Sequence, residues 1–174
     1  ERVQRAPLWN RRTSDSPNQV LIHQGFAQFY NFMRAQIHDA INTSARRNVL
    51  ICGHSLGAGV ANVCLFDMLD SELRAPERVY CVTIASPRVG NPAFAQFLES
   101  RNARLFQLRN TADIVPLVPL AWTPSLKGEK ELFEYEHAGV AMLFENRSNN
   151  LKGAHMLEAY QTHMLRNQLT AYSE

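Results

Sequence analysis

No stretch of this sequence is apolar for long enough to span a membrane; the apolar runs are short and interrupted by charged residues. An excess of charge of one sign is also missing. Lys and Arg number 18 against 16 Asp and Glu, a net charge of +2, so nothing argues for nucleic acid or a strongly anionic partner. Cysteine is scarce. Cys52, Cys64 and Cys81 are the whole complement. Each falls in an apolar strand- or helix-like segment, which predicts core residues rather than a disulfide framework or a metal site. There is no internal repeat. No signal peptide opens the chain, which also lacks an initiating Met. A processed or truncated product is therefore expected, and the compartment, secreted or cytoplasmic, is left open.

What is present is enough apolar residue, 45% of 174, to build the core of one domain. Residues 1–18 are polar and basic, with Pro7, Pro17 and a lone Trp9, and read as an irregular arm. Residues 19–174 read as the folded domain. Phe26, Phe29, Tyr30, Met33, Ile37 and Ile41 recur at helical spacing, predicting a long amphipathic helix that ends near Thr43. Val49 to Cys52 reads as a buried strand and Ala58 to Asp70 as a helix. Val79 to Ala85 is rich in β-branched residues and reads as a second strand. Asn91 and Pro92 supply a cap and a first-turn proline for a short helix, and Ala103 to Arg109 reads as a third strand. The β-α-β-α-β order predicts a parallel sheet covered by helices, an α/β fold. Farther on, Phe133 to Phe144 reads as another strand and Asn146 to Gly153 as a turn. Met156, Leu157, Tyr160, Met164, Leu165 and Leu169 mark a terminal amphipathic helix.

Between the first strand and its helix, Gly53-His54-Ser55-Leu56-Gly57 fits G-x-S-x-G. At average glycine and serine frequencies, chance gives such a pattern in roughly one chain in twenty of this length. The strand before it and the helix after it make it a nucleophile elbow, with the Ser55 hydroxyl exposed on a sharp bend. Both flanking glycines are expected to be needed because a Cβ there would collide with backbone. The Leu56 N–H would point at a developing oxyanion.

A serine hydroxyl needs a base, and the base needs an orienting carboxylate. In this fold the expected order is Ser, acid, His. Asp113 lies just past the third strand, at the right edge of the sheet; Asp67 and Asp70 sit on the elbow helix and read as surface charges. Three histidines follow Asp113. His155 precedes the terminal helix and can be aimed at the serine, whereas His137 falls in a predicted strand and His163 in mid-helix. His54 precedes the acid and is not the base; it is expected beneath the bend. Val115 to Trp122 is apolar but broken by Pro116 and Pro119. It is either a wall for an acyl chain or a loop packed onto the core.

Several separated segments resemble the class 3 lipase family, the fungal-lipase-like α/β-hydrolases. They are His23-Gln24-Gly25-Phe26, the elbow, Ala85-Ser86-Pro87-Arg88-Val89-Gly90-Asn91-Pro92-Ala93-Phe94, Asn110-Thr111-Ala112-Asp113-Ile114-Val115-Pro116, His137-Ala138-Gly139 and His155-Met156-Leu157-Glu158-Ala159-Tyr160. The resemblance covers residues 20 to 165 in the family order. It implies Ser55 as nucleophile, Asp113 as acid, His155 as base, Leu56 as an oxyanion donor and a structural role for His137. The implied activity is hydrolysis of lipid acyl esters, most often acylglycerols, at a lipid–water interface and with no metal or organic cofactor. The resemblance also implies an upstream strand and a Phe-Arg-Gly-Ser/Thr turn, which carries a second oxyanion donor ahead of a lid. No such turn precedes His23. A fragment, or loss of the N-terminal strands, is expected on that ground, and loss of one oxyanion donor costs about 10²–10³ in turnover. The competing expectations are a non-catalytic hydrolase-like domain that binds lipid or protein, and an esterase or phospholipase acting on a different acyl ester.

Overall fold

The computed structural model describes residues 19–124, 132–147 and 151–171. The expected arm, residues 1–18, lies outside the described residues, as does most of the polar run from Thr123 to Glu131. Helix α1 (Gln24–Thr43) is followed by strand β1 (Val49–His54), helix α2 (Leu56–Asp70), strand β2 (Val79–Ile84), helix α3 (Pro92–Ser100) and strand β3 (Arg104–Asn110). Then come the short strands β4 (Trp122–Pro124) and β5 (Leu132–Glu134), strand β6 (Val140–Phe144), helix α4 (Leu151–His155) and helix α5 (Leu157–Ala171).

The main sheet has the order β1-β2-β3-β6 and every neighbouring pair is parallel. All its strands therefore end at one edge, where the loops that carry chemistry collect. β4 and β5 pair as a separate antiparallel ribbon. Leu105 and Leu108, an odd step apart on β3, point to opposite faces and join different apolar clusters. On one face Val79, Cys81 and Leu105 pack with α1, α2 and α3 through Tyr30, Leu65, Met68, Phe94 and Leu98. On the other, α5 brings Ala159 and Tyr160 against Leu108 and Phe144. A buried side chain of this size contributes about 1.5–3 kcal/mol, so α2, with ten buried positions, is the central pillar.

Local chemistry explains the boundaries. His23 precedes α1, and its Nδ1 accepts the Gly25 N–H at 3.1 Å. Burial lowers the His23 pKa, favouring the neutral ring that this bond requires. Asn91 caps α3 by accepting the Phe94 N–H at 3.1 Å, with Pro92 in the first turn. It also pins residues 19–21: Oδ1 accepts the Leu21 N–H and Nδ2 donates to Gln19 O.

Several expectations are corrected. The first strand is not buried throughout. It alternates, because Val49 and Ile51 point to the face packed on the helices while Leu50 and Cys52 point to the opposite face, which is exposed at this strand. Cys64 and Cys81 are in the core as expected. The run from Phe133 to Phe144 is not one strand: β5 and β6 are separated by an isolated bridge at Glu136 and by Gly139 at φ +80°, a conformation that suits glycine and ends an extended run. His137 is therefore in a connection. The turn expected up to Gly153 contains most of α4 instead. On α1, Phe29 and Met33 are exposed, and the buried stripe is Ala27, Tyr30 and Ile41.

Asp67 is not a surface charge either; only 19% of its side chain is exposed. It faces α1 and accepts from Tyr30 Oη at 2.6 Å, His38 Nε2 at 2.6 Å, and Arg34 through Nε and Nη2 at 2.9 Å each. Burial pushes its pKa up, but the bonds from Arg34, Tyr30 and His38 outweigh burial and hold it below the ordinary carboxylate value. The unfolded chain then takes up the proton first, so this contribution to stability is complete above about pH 4 and is lost as pH falls below that. Replacing Asp67 with Asn is expected to cost about 1.5–3 kcal/mol at pH 7. In urea titrations at pH 7 and pH 3, the gap between wild type and variant is expected to narrow at pH 3. An equal gap at both would contradict the account.

Candidate active site

β1 ends at His54 and α2 begins at Leu56, which leaves Ser55 on the bend. Its φ of 58° and ψ of −126° lie outside the ordinary regions, at a cost of order 1–3 kcal/mol. Hydrogen bonds hold it there. Ser55 N donates to Ile84 O at 3.0 Å, and Ser55 O accepts from Ala58 N at 2.9 Å and Gly59 N at 3.3 Å. A Cβ on Gly53 would lie 2.6 Å from the Gly57 carbonyl carbon and 2.8 Å from Ala58 Cα. Only glycine fits that crossing. The same expectation for Gly57 is overturned: a Cβ there meets nothing within 4 Å, because Gly57 sits on the exposed side of the first turn of α2. The second glycine that packing demands is Gly59, where a Cβ would lie 2.7 Å from the Phe26 ring.

Asp113 follows β3 in a tight turn, its N–H bonded to Asn110 O at 2.9 Å. Asn110, 1% exposed, ties this turn to two others. Its Oδ1 accepts Ala112 N and Asn146 N, and its Nδ2 donates to Asn146 O and Ala154 O. Ala154 precedes His155, so one amide side chain sets the separation between Asp113 and His155.

His155 is the last residue of α4. Its Nδ1 is 2.8 Å from Asp113 Oδ2 and its Nε2 is 2.8 Å from Ser55 Oγ. A carboxylate only accepts, so Nδ1 carries the proton and Nε2 presents a lone pair to the serine hydroxyl. The Asp113 side chain is fully buried and the His155 side chain 22% exposed. Asp113 Oδ1 accepts the Val115 N–H at 2.9 Å, and Oδ2 also accepts from Tyr160 Oη at 2.7 Å. Burial and the bond to Asp113 raise the Tyr160 pKa, while the Asn110 N–H opposes them; the hydroxyl remains a donor. The structure thus brings Ser55, Asp113 and His155 together, with Leu56 N–H in the first turn of α2, where helix N–H groups have no helical acceptor.

Sequence reasoning assigned no contact with the site to three supporting residues, although it expected His54 beneath the bend. His54 stacks on the His155 ring, with centroids 5.0 Å apart, and its Nε2 donates to His155 O at 3.0 Å. Tyr160 reads in sequence as one apolar helix position, and Asn110 only as the first residue of the segment that carries Asp113. The other candidate bases are elsewhere: His137 Nε2 donates to Pro116 O at 2.8 Å, and His163 stacks on Phe144. The segment after Asp113 is not packed onto the core. Pro116 is buried, but Ile114, Leu117, Val118, Leu120 and Trp122 are exposed. Among the described residues no group of three His, Cys, Asp or Glu could hold a metal, and no helix is long and apolar enough to cross a membrane.

Comparison with known proteins shows the family of the chain. The Lipase (class 3) family model matches residues 4–122. A lipase of Rhizopus niveus is 28% identical over 136 residues, covering 75% of this chain and 32% of that protein. Phospholipase A1-II 5 of Oryza sativa subsp. indica is 41% identical over 78 residues, covering 41% of this chain and 17% of that protein. Among solved structures, the Rhizomucor miehei triacylglyceride lipase superposes with a TM-score of 0.60 at 26% identity, covering 76% of this chain and 49% of its own. A triacylglycerol lipase whose catalytic centre is a serine protease triad gives 0.55 at 30% identity, over 67% of this chain and 44% of its own. The chain thus spans a third or less of these curated relatives and about half of the solved ones. With its parallel sheet, its elbow and a family match over more than half its length, this chain has the α/β-hydrolase fold and belongs to the class 3 lipase family.

Proposed function

We propose that the protein is a serine hydrolase of lipid carboxylic esters, acylglycerols foremost, acting at a lipid–water interface. The observation that carries this reading is the pair of 2.8 Å contacts made by the two nitrogens of His155, one to Ser55 Oγ and one to Asp113 Oδ2. In the proposed reaction Ser55 Oγ attacks the ester carbonyl carbon while His155 Nε2 takes the hydroxyl proton. Asp113 stabilises the imidazolium and holds its tautomer. The carbonyl oxygen becomes an oxyanion that accepts from Leu56 N–H. Collapse breaks the ester C–O bond, and His155 gives its proton to the leaving alcohol. Water, deprotonated by His155, then attacks the acyl-enzyme, releasing the fatty acid and the free serine. None of these steps calls for a metal or organic cofactor. The exposed apolar side chains of Leu117, Val118, Leu120 and Trp122 are the proposed contact for the acyl chain, where burial of each methylene is worth about 0.8 kcal/mol.

A phospholipid acyl ester is the second substrate reading, favoured by the 41% identity to the rice phospholipase A1. The fold and the proposed chemistry are the same for both.

Hydrolysis of chromogenic esters of increasing chain length tests the assignment. Ser55→Ala and His155→Ala are each expected to lower kcat by about 10⁴-fold or more. Substantial turnover by Ser55→Ala would refute the nucleophile, whereas a dead His163→Ala beside an active His155→Ala would refute only the base.

Tyr160→Phe separates positioning from packing, since it removes the hydroxyl bonded to Asp113 and keeps the ring against Phe144. Its kcat is expected to fall about tenfold, the scale of a lost hydrogen bond to a charged group, with KM unchanged. An unaltered kcat would remove Tyr160 from the account.

A further inference from the structure

A cavity of about 190 Å³ lies beside the Asp113 turn, and its two arginines, Arg88 and Arg109, take no part in the reaction above. Arg88, from the loop after β2, and Arg109, from β3, both line it, together with Thr111, His137 and Leu117; Asp113 closes one side. Two arginines in one partly enclosed space repel each other and need a reason to be there. Their hydrogen bonds do not supply it. Arg88 donates to the carbonyl oxygens of Leu117 and Pro119, and Arg109 donates through Nε and Nη2 to Gln107 Oε1. Every one of these acceptors is neutral. Among the described residues no carboxylate comes within ion-pair distance of either guanidinium.

The electrostatics carry the same imprint. Burial lowers the pKa of Arg88, and burial together with the charge of Arg88 lowers that of Arg109. Burial and then the charge of Arg109 push His137 down to about 4, with Arg88 adding to the effect. His137 is therefore neutral at pH 7, and it donates to Pro116 O rather than balancing charge. Among the described residues Asp113 is the one acid at the cavity, and its oxygens are already taken by His155, Tyr160 and Val115 N–H. A positive field with unspent N–H donors is left facing the cavity.

We propose that the Arg88–Arg109 cavity is a binding site for a phosphate group. Two guanidiniums offer planar forks that match phosphate oxygens, and their combined charge complements the −1.5 to −2 or so of a phosphate monoester or inorganic phosphate. The lining mixes polar Thr111 with apolar Leu117, so the group can arrive free in solution or on a lipid headgroup. This site does not depend on the hydrolase reading and needs no turnover to be observed.

Isothermal titration of the full-length protein with inorganic phosphate at pH 7, at constant ionic strength in chloride, tests it. Saturable binding with one phosphate per chain is expected. Arg109→Gln is the informative variant, because among the described residues the Arg109 side chain bonds only to Gln107 Oε1 on its own strand, a contact a shorter amide can replace, whereas Arg88 holds the segment at Leu117 and Pro119 directly. Arg109→Gln is expected to weaken phosphate at least about tenfold while keeping the thermal midpoint of the ligand-free protein near that of wild type. Arg109→Lys, which keeps the charge but not the fork, is expected to fall between the two. Glycerol 3-phosphate and glycerophosphocholine identify the source. Tighter binding of the diester assigns the cavity to a headgroup, and tighter binding of the monoester or inorganic phosphate assigns it to a soluble phosphate; both support the site. No heat beyond the chloride control, equal binding of acetate, or unchanged affinity in both Arg109 variants would overturn the proposal.

Discussion

The backbone of α2 crosses the end of β1 so closely at Gly53 that no side chain fits between them. The rest of the site depends on this contact. It forces the reversal from strand to helix into one residue, and that residue, Ser55, takes a positive φ. The strain is of order 1–3 kcal/mol, and it persists because α2 is buried along most of its length and the Ser55 N–H is anchored to β2. A small residue is needed again at Gly59, where the Phe26 ring of α1 lies on the backbone of α2. The Asp67 anchor, two turns farther along, joins the same pair of helices. Packing at both ends of this interface thus fixes the direction in which the elbow points.

A parallel sheet supplies the second constraint. Its strands end together, so Ser55 after β1, Asp113 after β3 and His155 shortly after β6 arrive at one edge although they are far apart in the chain. Close placement then falls to polar side chains. Asn110 spends its amide on the Asp113 turn, on the end of β6 and on the residue before His155. His54 holds the His155 carbonyl and stacks on its ring, and Tyr160 fills the remaining position at Asp113 Oδ2. Each bond contributes modestly to stability, about 1 kcal/mol for a neutral pair. Together they leave the imidazole one tautomer and one direction, a larger matter for a proton relay than for folding.

The helices and strands up to Asn110 were legible in the sequence because their signals are local: helical spacing on α1, β-branched runs at β2, Asn91-Pro92 at the start of α3. Order and loop position singled out Ser55, Asp113 and His155 in the sequence, and the structure places Ser55 and Asp113 each within hydrogen-bonding distance of His155. What failed depends on tertiary context. Cys52 looks like core because its neighbours are apolar, yet it points to the face of β1 opposite Val49 and Ile51 and is exposed. The β5–β6 run looks continuous because a single glycine among apolar residues is a weak break signal, and only the fold puts Gly139 at positive φ. Asp67 looks like a solvated helix charge until α1 is laid against it. The supporting roles of Asn110, His54 and Tyr160 have no local signature, since the bonds to Asn146, His155 and Asp113 that define them span 36 to 101 residues.

The central claim is that the geometry around Ser55 makes its hydroxyl a nucleophile, and covalent labelling tests this without choosing a substrate. The protein is treated with a serine-reactive phosphonate at neutral pH, and the adduct is located by peptide mass spectrometry. The account predicts one adduct per chain, on Ser55, formed far more slowly when His155 is replaced by Ala. An unlabelled Ser55, or labelling at the same rate without His155, would contradict it.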